Sequence, residues 1–450
     1  LDLFYGFVVG LTANATVAKV AKVRNVFGMK ELDVRFVPAV AHNSMLGVYV
    51  SVPFCRAKCS FCNFASGVGT PAAMERYVQQ LCAEIDAAKK TASALGAELP
   101  RGVDSVYLGG GTPSLLAPEQ LERIFSALRR NFDVARDAEI TLEAAPGQIA
   151  DDVLASAMAL GVNRVSLGVQ SFVDKECASV GRLHSEQECI DEIKRLRAAG
   201  VAEVGADLIA GLPYQTAQSW EHSLDVAAGL GAEGALTHLS VYMLEVDEDS
   251  RLGQEVIAGG KRFHAHGVPA EEISADLYER ACEVLPRAGF PQYEISNFAA
   301  AEHRSKHNRK YWKRAPYMGF GLDAHSMLLR PGGAVRFANP DELQDYHLLG
   351  GPMGPTVKPV WIGEREDFEE TIFLGLRMNE GLEIASLYRG FGSNFVEPCV
   401  AAAKELMEGG LLTEVDGRWR LTPRGRLVSN DVFGHLLEEQ AEEQEAGNRK

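Results

Sequence analysis

The sequence predicts an α/β protein: a parallel sheet curled into a partial (β/α)6, TIM-like barrel, followed by a winged-helix-like C-terminal piece. Three observations predict it. Short β-rich runs alternate with amphipathic helical patterns from residue 47 to about 245. Glycine, acid and cysteine motifs fall at the ends of those runs, where barrels of this kind carry their sites. Near the C terminus, helical patterns give way to a hairpin with an Asp416-Gly417 turn.

The strand candidates are Gly47–Val52, Ser105–Leu108, Glu139–Leu142, Arg164–Val169, Gly205–Ile209 and His238–Tyr242. One helix starts at Thr70-Pro71, with proline in the first turn, and carries Met74, Val78, Leu81 and Ile85 at helical spacing. A second starts at Pro118 and carries Leu121, Ile124, Phe125 and Leu128. A third opens with the capping pattern Ser185-x-x-Glu188 and ends near Gly200. Right-handed crossovers between parallel strands curl such a sheet into an open or partial barrel. This core is expected over 45–270, and 271–358 reads as a linking helix and loop region. Residues 359–434 read as the winged-helix-like domain and 435–450 as a charged tail. Residues 1–44 read as an N-terminal extension or the product of a non-native start, because Met45 directly precedes the first strand.

The chain has 450 residues, 46% of them hydrophobic, enough for a large core and more than one domain. Its net charge of −16 argues against a general nucleic-acid surface, winged-helix pattern included. No apolar run is long enough to span a bilayer, and the first ten residues lack the basic start of a signal peptide. Eight cysteines are too few for a disulfide framework and fit a reducing cytosol, so a cytoplasmic location is expected.

Three of those cysteines cluster as Cys55-x-x-x-Cys59-x-x-Cys62, just after the first strand. Each thiolate can hold one iron of a cubane cluster, which ordinarily takes four cysteines. The next cysteine, Cys82, lies in the following helix, so one iron is left open for chemistry. A zinc site would call for a second cysteine pair, and there is none. The spacing and its flanks, Tyr49-Val50-Ser51-Val52-Pro53-Phe54 before and Phe61-Cys62-Asn63-Phe64 around the last cysteine, resemble the radical S-adenosylmethionine (SAM) superfamily. The resemblance implies a [4Fe–4S] cluster on Cys55, Cys59 and Cys62, SAM bound at the open iron, and reductive cleavage to a 5′-deoxyadenosyl radical.

Further motifs follow the later strands: Gly109-Gly110-Gly111-Thr112-Pro113, Glu143 before Ala144-Ala145-Pro146-Gly147, Gln170 in Ser166-Leu167-Gly168-Val169-Gln170-Ser171-Phe172, Arg182 before Leu183-His184, and Asp207 before Leu208-Ile209-Ala210-Gly211-Leu212-Pro213. Glycines allow close backbone approach to a ligand, and a carboxylate inside an apolar strand needs a partner. Over residues 46 to 430 this order is similar to the family of oxygen-independent coproporphyrinogen III oxidase and its heme-chaperone relative, HemW. That resemblance places Tyr49, Phe61, Gly110, Gly111, Thr112, Glu143, Gln170, Arg182 and Asp207 at SAM contacts.

Two features choose between the branches. The oxidase branch has a further cysteine two residues after the last one, where this chain has Phe64. The segment His307-Asn308-Arg309-Lys310-Tyr311-Trp312 resembles the HNxxYW segment of HemW, which implies heme binding with His307 as the candidate ligand. His325 is a second heme candidate. Ser51, Ala145 and Asp323 stand where relatives often carry His, Asn and Gly. The expected function is a heme chaperone with [4Fe–4S] and SAM that passes heme to an acceptor protein, with a one-electron donor such as flavodoxin or ferredoxin. The alternative is the oxidase itself, decarboxylating coproporphyrinogen III.

Overall fold

The computed structural model describes residues 45–348 and 359–437. The N-terminal extension, part of the linking region and nearly all of the charged tail therefore lie outside the described residues.

Six strands run parallel in chain order: β1 (Leu46–Val52), β2 (Gly102–Gly110), β3 (Asp133–Ala144), β4 (Arg164–Gln170), β5 (Glu203–Ala210) and β6 (His238–Met243). Between them lie α1 (Pro71–Ala94), α2 (Pro118–Asn131), α3 (Asp151–Ala159), α4 (Glu186–Ala198) and α5 (Ala217–Ala232). The expected caps are present. Thr70 Oγ1 accepts from the Ala73 N–H at 3.2 Å. Ser185 Oγ accepts from the Glu188 N–H at 3.3 Å, and Glu188 accepts from the Ser185 N–H at 2.7 Å. Each such cap contributes about 1 kcal/mol.

One departure concerns 271–358. This region is not only helix and loop: after α6 (Glu271–Arg287) it adds strands to the same sheet. They are β7 (Asn297–Ala299) and, beyond α7 (Lys306–Trp312), β8 (Tyr317–Phe320), β9 (His325–Arg330) and β10 (Gly333–Ala338). With β11 (Val360–Ile362) the sheet has, among the described residues, eleven strands in the order β11-β10-β9-β8-β1-β2-β3-β4-β5-β6-β7. Strand β8 pairs parallel with β1 and is a seventh parallel strand; the outer strands are antiparallel. Its four residues, Tyr317-Met318-Gly319-Phe320, are too few to show a period in sequence.

Alternation along the six strands sorts the core. Val48, Val50, Val106, Leu108, Ile140, Leu142, Val165, Leu167, Val204, Ala206, Leu239 and Val241 are buried in the main apolar core, where the helices pack. The other face is polar: Tyr49, Ser51, Ser105, Tyr107, Glu139, Thr141, Glu143, Arg164, Ser166, Asp207, His238 and Ser240. This inner face is where the site is built.

The C-terminal piece is winged-helix-like as expected. Helices α8 (Glu364–Arg377), α9 (Ile384–Phe391) and α10 (Ser393–Glu408) precede the hairpin β13 (Leu412–Val415) and β14 (Arg418–Leu421). The short β12 (Leu382–Glu383) completes a three-stranded sheet in the order β12-β14-β13. Asp416 and Gly417 both have positive φ, 53° and 69°, as the tight turn requires. A buried ionic seam joins α8 to the barrel. Arg336 grips Glu370 with two bonds of 2.8 and 2.9 Å, and Arg314 bonds Glu370 and Asp367.

Candidate functional site

The three cysteines lie on the loop that leaves β1. Cys59 is buried, Cys55 and Cys62 are half-buried, and none is in a disulfide. The loop is tied from several directions. The Ser60 N–H donates to Val180 O at 3.1 Å, and Leu252 N–H donates to Ser60 O at 2.8 Å. Asn63 Nδ2 donates to Asp247 at 3.0 Å, and Arg251 donates to Lys58 O. Segments following β4 and β6 thus fix the loop against the sheet. Phe61 packs on a small apolar cluster of Val180, Ile209, Leu212, Leu252 and Ala265. Phe64, two residues after the last of the three cysteines, is exposed. Among the described residues no three His, Cys, Asp or Glu side chains converge on a single ion.

Gly109 to Gly111 run directly beside this loop. Gly111 N–H donates to Val52 O at 2.9 Å, and Thr112 N–H donates to Phe54 O at 2.8 Å. A Cβ at Gly111 would lie 2.7 Å from both Phe54 N and Val52 O, which is impossible without moving the cysteine loop. Gly110 has φ +96°, open to glycine at little cost.

The polar residues predicted for SAM gather at the carboxyl ends of β3, β4 and β5. Glu143 accepts from Tyr107 O–H at 2.7 Å. Burial pushes its carboxyl up to about 7; Tyr107 and the Gly110 N–H pull it down, and nearby Asp207 pushes it up. Asp207 is held by Ser240 and Ser166, the latter at 3.2 Å, and burial pushes it up to about 6. Arg182 lies over Gly168, where a Cβ would sit 3.1 Å from its Nη2. Its Nε is buried without a hydrogen-bond partner. Gln170, at the end of β4, holds φ +69°, a left-handed strain of order 1–3 kcal/mol for a residue with a side chain. Tyr49 stacks on Tyr107 with ring centroids 6.0 Å apart. Two raised acids, an orphaned guanidinium nitrogen, a strained residue and a glycine cradle form a place prepared for a charged ligand. A zwitterion such as the methionine end of SAM fits that donor set. Sequence reasoning missed Tyr107, Ser166 and Ser240, though period-two alternation puts each on the inner face.

His307 lies elsewhere. It is 1% exposed, near the opposite end of the inner face. Ser105 Oγ is 3.0 Å from Nδ1 and Tyr311 O–H is 2.9 Å from Nε2, so both ring nitrogens are engaged. Burial, then Lys310, lowers its basicity to about 3. Its backbone N–H and that of Lys306 donate to Glu139, each at 2.8 Å. In this arrangement the His307 imidazole is held between the Ser105 and Tyr311 hydroxyls. His325, on β9, is half-buried, with Nε2 3.9 Å from Asp323, and is not part of the SAM group. Asp323 has φ +56°, a backbone conformation that glycine adopts more readily.

Residues 49–227 match the family model of the radical SAM superfamily, and 363–428 match that of the HemN C-terminal domain. The chain is 32% identical to the heme chaperone HemW of Bacillus subtilis, over 88% of this chain and 100% of that one. It is 34% identical to the heme chaperone HemW of Synechocystis, over 75% and 79%. The structure superposes on coproporphyrinogen III oxidase, HemN, of Escherichia coli with a TM-score of 0.72 at 24% identity, covering 87% and 90% of the two chains, a likeness of fold. The chain belongs to the HemW family of the radical SAM superfamily, whose members carry a [4Fe–4S] cluster and SAM.

Proposed function

We propose that this chain binds heme and hands it to an acceptor protein. The observation that carries this reading is similarity to curated HemW proteins along nearly the whole chain. Phe64 at the position of the oxidase branch's extra cysteine supports it.

In this reading Cys55, Cys59 and Cys62 hold the cluster. Tyr49, Phe61, Gly110, Gly111, Thr112, Glu143, Gln170, Arg182 and Asp207 hold SAM. Bound together, cluster and SAM supply one-electron chemistry. The protein's part is placement. Gly110 and Gly111 let the backbone close on the ligand, and Arg182 presents an unpaired donor to its carboxylate. Glu143 and Asp207 accept hydrogen bonds and lose their protons as cationic and hydroxyl groups arrive. Electrons come from a small donor such as flavodoxin or ferredoxin. The cysteine usage fits a reducing compartment, and we infer action in the cytoplasm. None of the helices among the described residues is long and apolar enough to cross a membrane.

The test is anaerobic reconstitution of the full chain with iron, sulfide and SAM. One heme bound per chain, transferable to an apo-acceptor, with no turnover of coproporphyrinogen III, is the expected result. Formation of protoporphyrinogen IX with SAM and reductant would overturn it in favour of the oxidase.

A further inference from the structure

Tyr107 is half-buried on β2 and is in contact with both ends of the inner face. Its hydroxyl donates to Glu143 at 2.7 Å. Its ring lies 5.2 Å from the His307 imidazole, tilted by 32°, and 6.0 Å from the Tyr49 ring. Two residues earlier, on the same strand and face, Ser105 Oγ lies 3.0 Å from His307 Nδ1. On its other side His307 Nε2 lies 2.9 Å from the Tyr311 hydroxyl. Strand β3 repeats the arrangement. Glu139 accepts the first N–H groups of α7, and Glu143, four residues on and on the same face, takes the Tyr107 hydroxyl. Gly109 makes the space for that contact. A Cβ there would lie 2.9 Å from Tyr107 Cε1 and 3.0 Å from both Cδ and Oε1 of Glu143. The first glycine of the run thus serves the Tyr107–Glu143 pair, whereas Gly111 serves the cysteine loop.

We propose that Tyr107 is a positioning residue that couples Glu143 to the His307–Tyr311 segment of α7, so that SAM binding and the state of that segment respond to each other; this rests on Glu143 holding SAM, as read above. A phenol ring is rigid, so the hydroxyl moves only with the ring. The ring rests against Tyr49 and His307, and the imidazole is fixed in turn by Ser105 and Tyr311. A shift of His307 therefore swings the Tyr107 hydroxyl across the Glu143 carboxyl. Burial does most to favour the protonated form of that carboxyl, and Asp207 adds to it; Tyr107, the Gly110 N–H and the Arg182 charge favour the anion. Tyr49, Tyr242 and Tyr311 face the same group as neutral phenols, because burial pushes each of them up. When Tyr107 lets go, Glu143 loses a donor that favours its anion. It then meets the cationic and hydroxyl groups of SAM as a protonated, poorer acceptor. By reciprocity, SAM bound at Glu143 holds Tyr107, and with it His307, in place. In a heme carrier, a change at α7 on loading or release of heme is thereby felt at the SAM site.

The full chain, reconstituted anaerobically with iron and sulfide and free of heme, is titrated with SAM at a series of pH values around 7. Wild-type affinity should rise with pH as Glu143 ionises. Tyr107→Phe should raise the SAM Kd about tenfold and move the midpoint of that rise upward. Tyr311→Phe and Ser105→Ala free the His307 imidazole without removing a hydrogen bond to Glu143. Each should raise Kd about fivefold, with a midpoint shift of the same sign. In the Tyr107→Phe background, Tyr311→Phe should add nothing to either quantity. A loss of packing alone would lower stability and leave the midpoint in place. An unshifted midpoint in Tyr311→Phe overturns the coupling, as do effects that simply add in the double variant. Carboxyl infrared titration of the ligand-free chain reads Glu143 with no SAM present, and a midpoint unmoved by Tyr107→Phe overturns it as well. Wild-type SAM affinity in Glu143→Gln overturns the assignment on which the proposal rests. A chain that takes no heme overturns the carrier reading and leaves the coupling standing.

Discussion

Two ends of one sheet face carry similar polar residues and treat them in opposite ways. Near the end that carries α7, Glu139 accepts from Arg164, Ser305, Lys306 and His307, and both nitrogens of His307 are taken. At the carboxyl ends of the strands, among the described residues, Glu143 and Asp207 have neutral hydroxyl or backbone hydrogen-bond donors with the Arg182 charge nearby, and a nitrogen of Arg182 has no acceptor. Residue type does not separate the two ends; pairing does. A buried polar group that has met its partners is structure, and one left short is kept for a ligand.

Breaking the paired end should cost the most. Glu139→Ala leaves Arg164 buried without its carboxylate and strands the donors of Ser305, Lys306 and His307. We expect a loss of about 3–5 kcal/mol in chemical denaturation. If it loses less than about 1 kcal/mol, the contrast between the ends is wrong.

The open end should answer to pH instead. The Glu143 carboxyl is raised to about 7 from an ordinary 4.5, so its protonated form is the one the fold favours. The native state then binds more protons than the unfolded one between those values. Stability of the ligand-free protein falls as pH rises from 4.5 to 7, by roughly 2–3 kcal/mol from this group. Asp207 adds the same sign between 3.8 and about 6. Glu143→Gln should flatten the upper part of that slope in urea melts taken across the range, and should weaken SAM binding. A slope unchanged in this variant would remove Glu143 as its source.

The smallest effect sharpens the comparison within the open end. Ser166→Ala deletes one hydrogen bond to Asp207 while Ser240 remains. We expect about 1 kcal/mol or less in stability and a further rise of the Asp207 carboxyl, read by NMR titration.

Much of this arrangement was legible in the residues. The six parallel strands came from alternation, and the cysteine loop and the polar groups near it came from motifs placed at strand ends. Strand β8 was not legible, because four residues after a helix carry no period. The state of His307 was hidden for a different reason: its partner Ser105 is 202 residues away in sequence, and a motif cannot report a bond of that range. The contact of Tyr107 with Glu143 was hidden in the same way, since the two are 36 residues apart.

Strand β1 lies in the middle of the sheet although it is the first strand of the barrel to be made. One edge is covered by β2, the other by Tyr317–Phe320. During synthesis at about 5–20 residues per second, the second edge stays open for on the order of 15–50 s after the cysteines have emerged. A nascent chain stalled before residue 320 would present three thiols beside a bare strand edge. The sheet around the cysteine loop is therefore complete only once Tyr317–Phe320 have emerged, and an excised 45–270 fragment would leave β1 with a bare edge.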